Sequence, residues 1–177
     1  MGGMRFVKEY AVSLPVVSAG MAMVTGPDLV AAVSNAGGLG ILGTGPMPPT
    51  LLRRIIAETR ALTEKPFGVN LIVEQTALGP ASTIEHVREC IEARVSPVVF
   101  FWNPPPDSWR SALRDGGIRV WLTVSSVAEA RRAHSDGYDA IIVQSNEAGG
   151  HVRANASALS LWPAVREAVG DMMMFPA

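Results

Sequence analysis

The sequence has a single cysteine, Cys90, and its only lysines are Lys8 and Lys65. One cysteine excludes an intrachain disulfide and any metal site built from several thiolates. Fifteen Lys and Arg residues against sixteen Asp and Glu residues give a net charge of −1, so no excess of positive charge is available for a nucleic-acid backbone. We therefore expect neither a disulfide-stabilised scaffold nor a nucleic-acid partner.

The sequence also lacks an uninterrupted apolar run of about 20 residues, the length that a transmembrane helix needs. An apolar region, 11–24, follows Arg5 and Lys8 as in a secretory signal, but Pro15 and Gly20 interrupt it. We expect this region to be the first unit of the folded domain. The sequence thus predicts a soluble, cytoplasmic protein without a membrane partner, in a compartment that keeps its thiol reduced.

Apolar residues are abundant and are arranged in a regular alternation. Hydrophobic residues make up 48% of the 177-residue chain and charged residues 18%, which predicts a folded domain with a large core. Runs of strand length alternate with amphipathic segments, as is typical of βα units that feed a parallel sheet. The predicted strands are 14–19, 39–42, 67–73, 97–102, 118–124, 140–144 and 172–175.

Helical periodicity and capping signals place helices between these strands. The predicted helices span 25–35 or 28–35, 49–62, 82–94, 107–115, 126–135 and 159–169. Seven strands separated by helices fit a (β/α)8 barrel or an open doubly wound sheet. A complete barrel takes about 250 residues. We therefore expect residues 1–177 to form one domain, an α/β barrel of the TIM type that is truncated after about seven strands.

Gly38, Gly40 and Gly43 match the G-x-G-x-x-G pattern of dinucleotide-binding loops. That motif should follow a strand and open a helix, whereas here a predicted helix precedes it and prolines follow it. We favour the alternative of a tight helix-to-strand turn, with glycines where backbones crowd together.

Residues 144–151 (QSNEAGGH) come at the carboxyl end of a predicted strand, where the βα loops of parallel sheets carry chemistry. Gly149 and Gly150 allow backbone amides to face a ligand, and His151 supplies a proton-exchanging group beside them. This favours a cofactor-contact loop with an attached base. A histidine that only caps the following helix is the alternative.

Two amide side chains, Asn70 and Gln144, end otherwise apolar strands. An amide offers both a donor and an acceptor, so the pair suits a flat heterocycle such as a flavin or a base; a structural hydrogen-bond network is the alternative. Ala19, Gly20 and Met21 follow the first predicted strand and are small or flexible enough to let a ring lie against the backbone.

Three further titratable side chains are interpreted as structural. His86 and His134 fall within predicted helices and are expected to be exposed. The helix over 82–94 is expected to begin at a Ser82 cap. Cys90 lies in the same helix beside acidic residues, a setting that raises the pKa of a thiol, so no nucleophilic role is expected for it.

Five segments in order along the chain resemble the FMN-dependent nitronate monooxygenases, formerly called 2-nitropropane dioxygenases. They are 15–21, 31–40 (AAVSNAGGLG), 65–71 (KPFGVNL), 97–101 and 139–151 (DAIIVQSNEAGGH). The order of the segments and the EAGGH sequence make the resemblance specific. It implies a TIM barrel that holds FMN at the carboxyl ends of its strands.

The resemblance also assigns roles to residues. It implies an enzyme that oxidises alkyl nitronates and nitroalkanes with O2 to carbonyl compounds and nitrite, with a small-molecule substrate and O2 as partners. His151 matches the family's catalytic base. The family's flavin contacts match Ala19, Gly20, Met21, Asn70, Gln144, Gly149 and Gly150.

Two alternatives remain. The EAGGH segment also resembles the FMN-dependent enoyl-[acyl-carrier-protein] reductases, which use NAD(P)H to reduce a C=C bond; Gln144 favours the monooxygenases, because an acid is expected there in the reductases. Val152 and Arg153 stand where the monooxygenases would have Arg and Gly, so the loop after the base is expected to differ in shape. The second alternative is a non-catalytic partial barrel that acts through a partner or through self-association.

The resemblance ends before the glycine-rich turn and the eighth strand that form the family's phosphate-binding cup. We therefore expect this chain by itself to bind FMN weakly. We also expect it either to form a homo-oligomer through exposed strand edges or to be part of a longer polypeptide that completes the barrel.

Overall fold

The computed structural model describes residues 2–77 and 79–177, which fall into two compact units, 3–120 and 121–177. Parallel strands and helices alternate in both units, so the α/β class is confirmed. Among the described residues, no helix combines the length and the apolar character that crossing a bilayer requires.

The first unit contains the longer series of elements. In chain order they are α1 (Gly2–Tyr10), α2 (Pro27–Asn35), β1 (Gly40–Gly43), α3 (Pro49–Leu62), β2 (Phe67–Val73), β3 (Gln75–Thr76), β4 (Gly79–Pro80), α4 (Ile84–Glu92), β5 (Val98–Trp102) and α5 (Asp107–Asp115). β2 pairs in parallel with β1 on one side and with β5 on the other, with Gly43 opposite Asn70 and Val73 opposite Trp102. β1 is buried throughout, and β2 is buried over its first five residues, as expected where helices cover a parallel sheet.

The second unit repeats this alternation. Its elements are β6 (Val120–Val124), α6 (Val127–Ser135), β7 (Ala140–Val143), α7 (Ala158–Val169) and β8 (Met173–Pro176). β7 pairs in parallel with β6 and with β8. The rings of Trp121 and Phe175 stack with their centroids 4.6 Å apart, which fixes the side-chain packing of β6 and β8.

The strand predicted over 14–19 is wrong. Only a single parallel bridge forms there, between Val17 and Leu39, and Leu14 and Val16 are 47% and 55% exposed. The ladder stops because the amide of Ile41 donates to the side-chain oxygen of Ser18 (3.1 Å) instead of to a backbone carbonyl. The segment therefore follows the edge of β1 without becoming a regular strand.

The amino-terminal helix α1 is a feature that the sequence analysis did not anticipate. Phe6 and Tyr10 are buried on one side of this helix. Glu9 bonds Arg5 one turn earlier (2.6 Å) and Arg119 (3.2 Å), and the Arg119 guanidinium lies 5.0 Å from the centre of the Tyr10 ring. These contacts make 3–10 an integral part of the first unit.

His86 is buried, contrary to the predicted exposure, whereas His134 is exposed as predicted. α4 begins after Thr83, whose backbone N–H donates to Nδ1 of His86 (3.1 Å), while Nε2 of His86 lies 2.8 Å from the Met47 carbonyl oxygen. Histidine thus takes the place that Glu or Gln usually has in a capping box. The predicted cap, Ser82, has a buried hydroxyl without a partner among the described residues.

The glycines of the G-x-G-x-x-G pattern lie where backbones crowd. A Cβ on Gly40 would come 2.4 Å from the Val30 carbonyl oxygen, and one on Gly43 would come 2.1 Å from the Met21 carbonyl oxygen. α2 ends before this segment and β1 lies inside it, so the helix-to-strand turn is confirmed.

Candidate functional site

Asn70 lies near the carboxyl end of β1 and in the middle of β2, and it is only 8% exposed. Its backbone carbonyl accepts a hydrogen bond from the Thr44 hydroxyl (2.6 Å). None of the described residues hydrogen-bonds its side-chain amide. The amide offers a donor and an acceptor, so it is able to bond a ligand or a water molecule.

The turn formed by Ala19, Gly20 and Met21 packs directly on Asn70. A Cβ on Gly20 would lie 2.5 Å from the Cβ of Asn70 and 3.2 Å from the Leu42 carbonyl oxygen. Only glycine therefore permits this approach. Ala19 and Met21 on either side of it are exposed, so the turn offers its backbone and a flexible thioether to the surroundings.

Thr25 holds this turn in place. Its buried hydroxyl donates to the Ala19 carbonyl (3.0 Å) and accepts from the Met21 N–H (2.9 Å). Its carbonyl accepts from the Gly43 N–H (3.0 Å), which ties the turn to the end of β1. The sequence analysis considered Thr25 as the start of a helix, but Gly26 is the N-cap of α2 and Thr25 serves the turn instead.

Gln144 follows β7 in the second unit and is buried. Its Nε2 donates to the His151 carbonyl oxygen and its Oε1 accepts from the Arg153 N–H, both at 3.0 Å. The side chain therefore fixes the backbone on both sides of Val152. One amide hydrogen and one lone pair of Gln144 lie outside these two bonds.

The loop between β7 and α7 is closed at its base. The Asn146 N–H donates to the Ala156 carbonyl (3.0 Å), and the Glu147 carboxylate accepts from the Ala158 N–H (2.6 Å) in the first turn of α7. This bond places a negative charge at the positive end of the helix dipole. The loop is thus an ordered structure with its two ends in contact.

Gly149, Gly150 and His151 form the exposed part of this loop. A Cβ built on either glycine would meet no heavy atom within 4 Å, so the space in front of the backbone is open. Gly150 has φ +77°, a conformation that favours glycine. The backbone conformation therefore accounts for Gly150, whereas neither packing nor a positive φ requires glycine at position 149.

Arg153 and Glu129 add an ion pair that the sequence analysis missed. Arg153 Nη2 lies 2.9 Å from Glu129 Oε1, and the other carboxylate oxygen accepts from the Ser125 N–H (2.8 Å) and the Ser125 hydroxyl (3.2 Å). The loop that bears His151 is thereby tied to the start of α6. The sequence signal for this ion pair was Arg153, which departs from the family pattern. Its partner could not be identified from the sequence because it lies 24 residues earlier.

Cys90 lies in the core, away from solvent. Burial, and to a lesser degree the Glu89 carboxylate, raises the pKa of its thiol to about 12, so the thiolate is negligible at neutral pH. Within the described parts of the chain, no group of three or more His, Cys, Asp and Glu side chains is arranged to hold a metal ion.

Each unit has a group of residues that is able to contact a ligand. In the first unit these are the Asn70 side-chain amide, which bonds none of the described residues, and the glycine turn packed against it; in the second they are two open glycines and the exposed His151. An amide can bond a carbonyl or a ring nitrogen, and an open glycine lets a ligand approach the backbone.

The model of the nitronate monooxygenase family matches residues 5–174. The chain is 39% identical over 155 residues to (3aS,4S,5R,7aS)-5-hydroxy-7a-methyl-1-oxo-octahydro-1H-indene-4-carboxyl-CoA dehydrogenase of Rhodococcus jostii, over 88% of this chain and 42% of that protein. It is 32% identical over 170 residues to the nitronate monooxygenase of Paraburkholderia phytofirmans, over 77% of this chain and 46% of that protein. The chain thus spans less than half the length of these curated relatives.

Solved structures confirm the TIM-barrel type of fold. FabK from Thermotoga maritima superposes with a TM-score of 0.84 at 36% identity, over 94% of this chain and 51% of that one. Nitroalkane oxidase from Streptomyces ansochromogenes superposes with a TM-score of 0.87 at 29% identity, over 96% and 59%. Together with the family match over most of the sequence, these similarities show that the chain belongs to the nitronate monooxygenase family of oxidoreductases.

Proposed function

We propose that this chain is part of an FMN-dependent oxidoreductase that converts alkyl nitronates and nitroalkanes, with O2, to carbonyl compounds and nitrite. The observation that carries the proposal is the exposed His151, which follows two open glycines on a closed loop in a chain of this family. The Rhodococcus and Paraburkholderia relatives are more than twice as long as the matched region, so the activity belongs to the whole protein.

We assign the flavin contacts separately in the two units. In the first unit they are the Asn70 amide and the turn formed by Ala19, Gly20 and Met21. In the second unit they are Gly149, Gly150 and the unused part of the Gln144 amide. FMN, when bound, supplies the electron-transfer chemistry that amino-acid side chains lack. The chain's own residues bind it, orient the substrate and move a proton.

His151 is the proposed base. An imidazole takes up and releases a proton near neutral pH, and a positioned general base contributes roughly 10²- to 10⁴-fold to a rate. A neutral nitroalkane must lose the proton next to its nitro group, whereas a nitronate has already lost it. His151 is therefore needed for proton removal from the first substrate and only for orientation of the second.

A second candidate function is oxidation or reduction of an acyl thioester. The 39% identity to a carboxyl-CoA dehydrogenase exceeds the 32% identity to the nitronate monooxygenase, which favours this candidate. The enoyl-[acyl-carrier-protein] reductase chemistry implied by the EAGGH resemblance belongs to the same class of substrate.

Absorption spectra and two assays separate these functions. Visible spectra of the purified chain, with and without added FMN, measure flavin binding. Nitrite production from a nitronate and O2 without NAD(P)H supports the first function. Turnover of an enoyl thioester that strictly requires NAD(P)H supports the second. Absence of flavin binding and of both activities in the full-length protein supports a non-catalytic partial barrel instead.

We also propose that the chain is cytoplasmic and forms a homo-oligomer. The exposed apolar side chains of Leu14 and Val16, beside the bridge between Val17 and Leu39, support self-association through this edge. Sedimentation-velocity ultracentrifugation tests the proposal, because a stable monomer at all concentrations would contradict it.

A further inference from the structure

We propose that Arg153 and Glu129 are positioning residues that fix the His151 loop for proton removal from a neutral nitroalkane. Their role rests on the proposed function of His151 as the base and extends it to two side chains that act through the loop.

The Glu129 carboxylate is held in place by hydrogen bonds other than the one with Arg153. Ser126 caps α6 by accepting from the Glu129 N–H (3.2 Å), which sets Glu129 in the first helical turn. Its Oε2 accepts from the N–H and the hydroxyl of Ser125 (2.8 and 3.2 Å). A carboxylate at this end of a helix is also favoured by the helix dipole. Glu129 therefore presents Oε1 from a fixed position.

Arg153 connects that fixed carboxylate to the loop. Its side chain, 23% exposed, reaches Glu129 Oε1 (2.9 Å), and its backbone N–H donates to Gln144 Oε1 (3.0 Å). The carbonyl of His151, two residues earlier, is held by Gln144 Nε2 (3.0 Å). The backbone on the carboxyl side of His151 is thus held at three points, while the residue itself is exposed.

On the amino side of His151 the backbone is intrinsically freer. Gly149 and Gly150 precede it, and glycine is the residue with the greatest backbone freedom. A general base must come within about 2.6–3.2 Å of the proton that it removes, and a misplacement of about 1 Å can lower a rate about 10²-fold. An ion pair at this exposure contributes only about 0–1 kcal/mol to folding. The expected role of the pair is therefore geometric rather than stabilising.

Single and double variants of the FMN-loaded full-length protein test this role. We expect Arg153→Gln and Glu129→Gln each to lower kcat for a neutral nitroalkane about 10-fold, and the double variant to lose no more than either one, because the two residues act as a unit. With a preformed nitronate the loss should be no more than about two-fold. Arg153→Lys should recover part of the activity. Arg132→Gln is the matched control, since Arg132 of α6 pairs with Asp136, the residue that follows this helix (3.7 Å).

Equal losses with both substrates, additive losses in the double variant, or no loss would overturn the proposal. Amide hydrogen exchange over residues 145–157 gives a readout that does not depend on activity. Faster exchange in Arg153→Gln and Glu129→Gln, at an unchanged melting temperature, supports the positioning role even if wild type turns over no nitroalkane, in which case only the proposed function fails. Unchanged exchange overturns the positioning role itself.

Discussion

Gly20 and Asn70 are packed so closely that a Cβ on Gly20 would lie 2.5 Å from the Cβ of Asn70. The two residues are 50 positions apart in sequence, and their contact joins the turn at Ala19–Met21 to the middle of β2. The Asn70 amide is therefore held at one edge of this turn by backbone geometry rather than by hydrogen bonds of its own.

The packing of this turn against β1 lets us predict the effect of a substitution at Gly43. A Cβ at Gly43 would come 2.1 Å from the Met21 carbonyl oxygen, so Gly43→Ala forces two backbone segments apart. We expect a loss of about 1–3 kcal/mol in the free energy of unfolding, with weaker FMN binding. Gly45→Ala is the control, because its nearest neighbour would be at 3.8 Å. Urea unfolding of both variants checks this, and equal stabilities would contradict the described contact.

Substitution at Gly149 separates ligand contact from folding. No heavy atom would lie within 4 Å of a Cβ there, so Gly149→Ala should leave the free energy of unfolding unchanged within about 0.5 kcal/mol. If FMN approaches this backbone, the added methyl group weakens its binding about 10-fold or more, as an overpacked contact does. Flavin titration measures the effect. Wild-type affinity in this variant would remove Gly149 from the flavin contacts.

Loss of the imidazole at position 151 should affect chemistry and leave cofactor binding intact. We expect His151→Ala to lower turnover of neutral nitroalkanes about 10²-fold or more, because a general base is lost. FMN affinity should be nearly unchanged. His134→Ala, at an exposed position on α6, is the matched control. Initial rates of nitrite release compare the three proteins, and equal rates would show that His151 is not the base.

Alkaline pH should destabilise the fold through Cys90. Burial raises the pKa of this thiol from 9.0 to about 12, so the folded state keeps the proton that the unfolded state releases above pH 9. The stabilising contribution is therefore complete below pH 9 and falls by about 1.4 kcal/mol per pH unit between pH 9 and 12. Urea unfolding at pH 8–10.5 should show a smaller slope for Cys90→Ala than for wild type. Parallel slopes would contradict this assignment.

Local sequence signals accounted for most of the secondary structure. The apolar face of 49–62 predicted a helix that matches α3, and the helix predicted over 107–115 matches α5. The prediction of a strand at 14–19 was wrong because the Ile41 N–H donates to the side-chain oxygen of Ser18. A side chain that replaces a backbone carbonyl as the acceptor acts here on a residue more than 20 positions away in sequence. Apolar patterning does not predict such a hydrogen bond.

Some residues of the candidate site could likewise be predicted from the sequence and others could not. His151 and its two glycines are contiguous, so their grouping was visible in the sequence. Thr25 was predicted only as a possible helix start and Glu129 was not singled out, because their roles come from partners that only folding brings near. His86 was misjudged for the same reason, since its partner is the Met47 carbonyl.

Because the β7–α7 loop is closed at its base, its length can change without disturbing the residues at its ends. Residues inserted at the exposed Asn155 would leave intact the bond between Asn146 and Ala156 and the hold of Gln144 on His151 and Arg153. Doubling the length of such a loop costs only about 0.6 kcal/mol in closure entropy. This loop can therefore vary in length at Asn155 without displacing the backbone of His151.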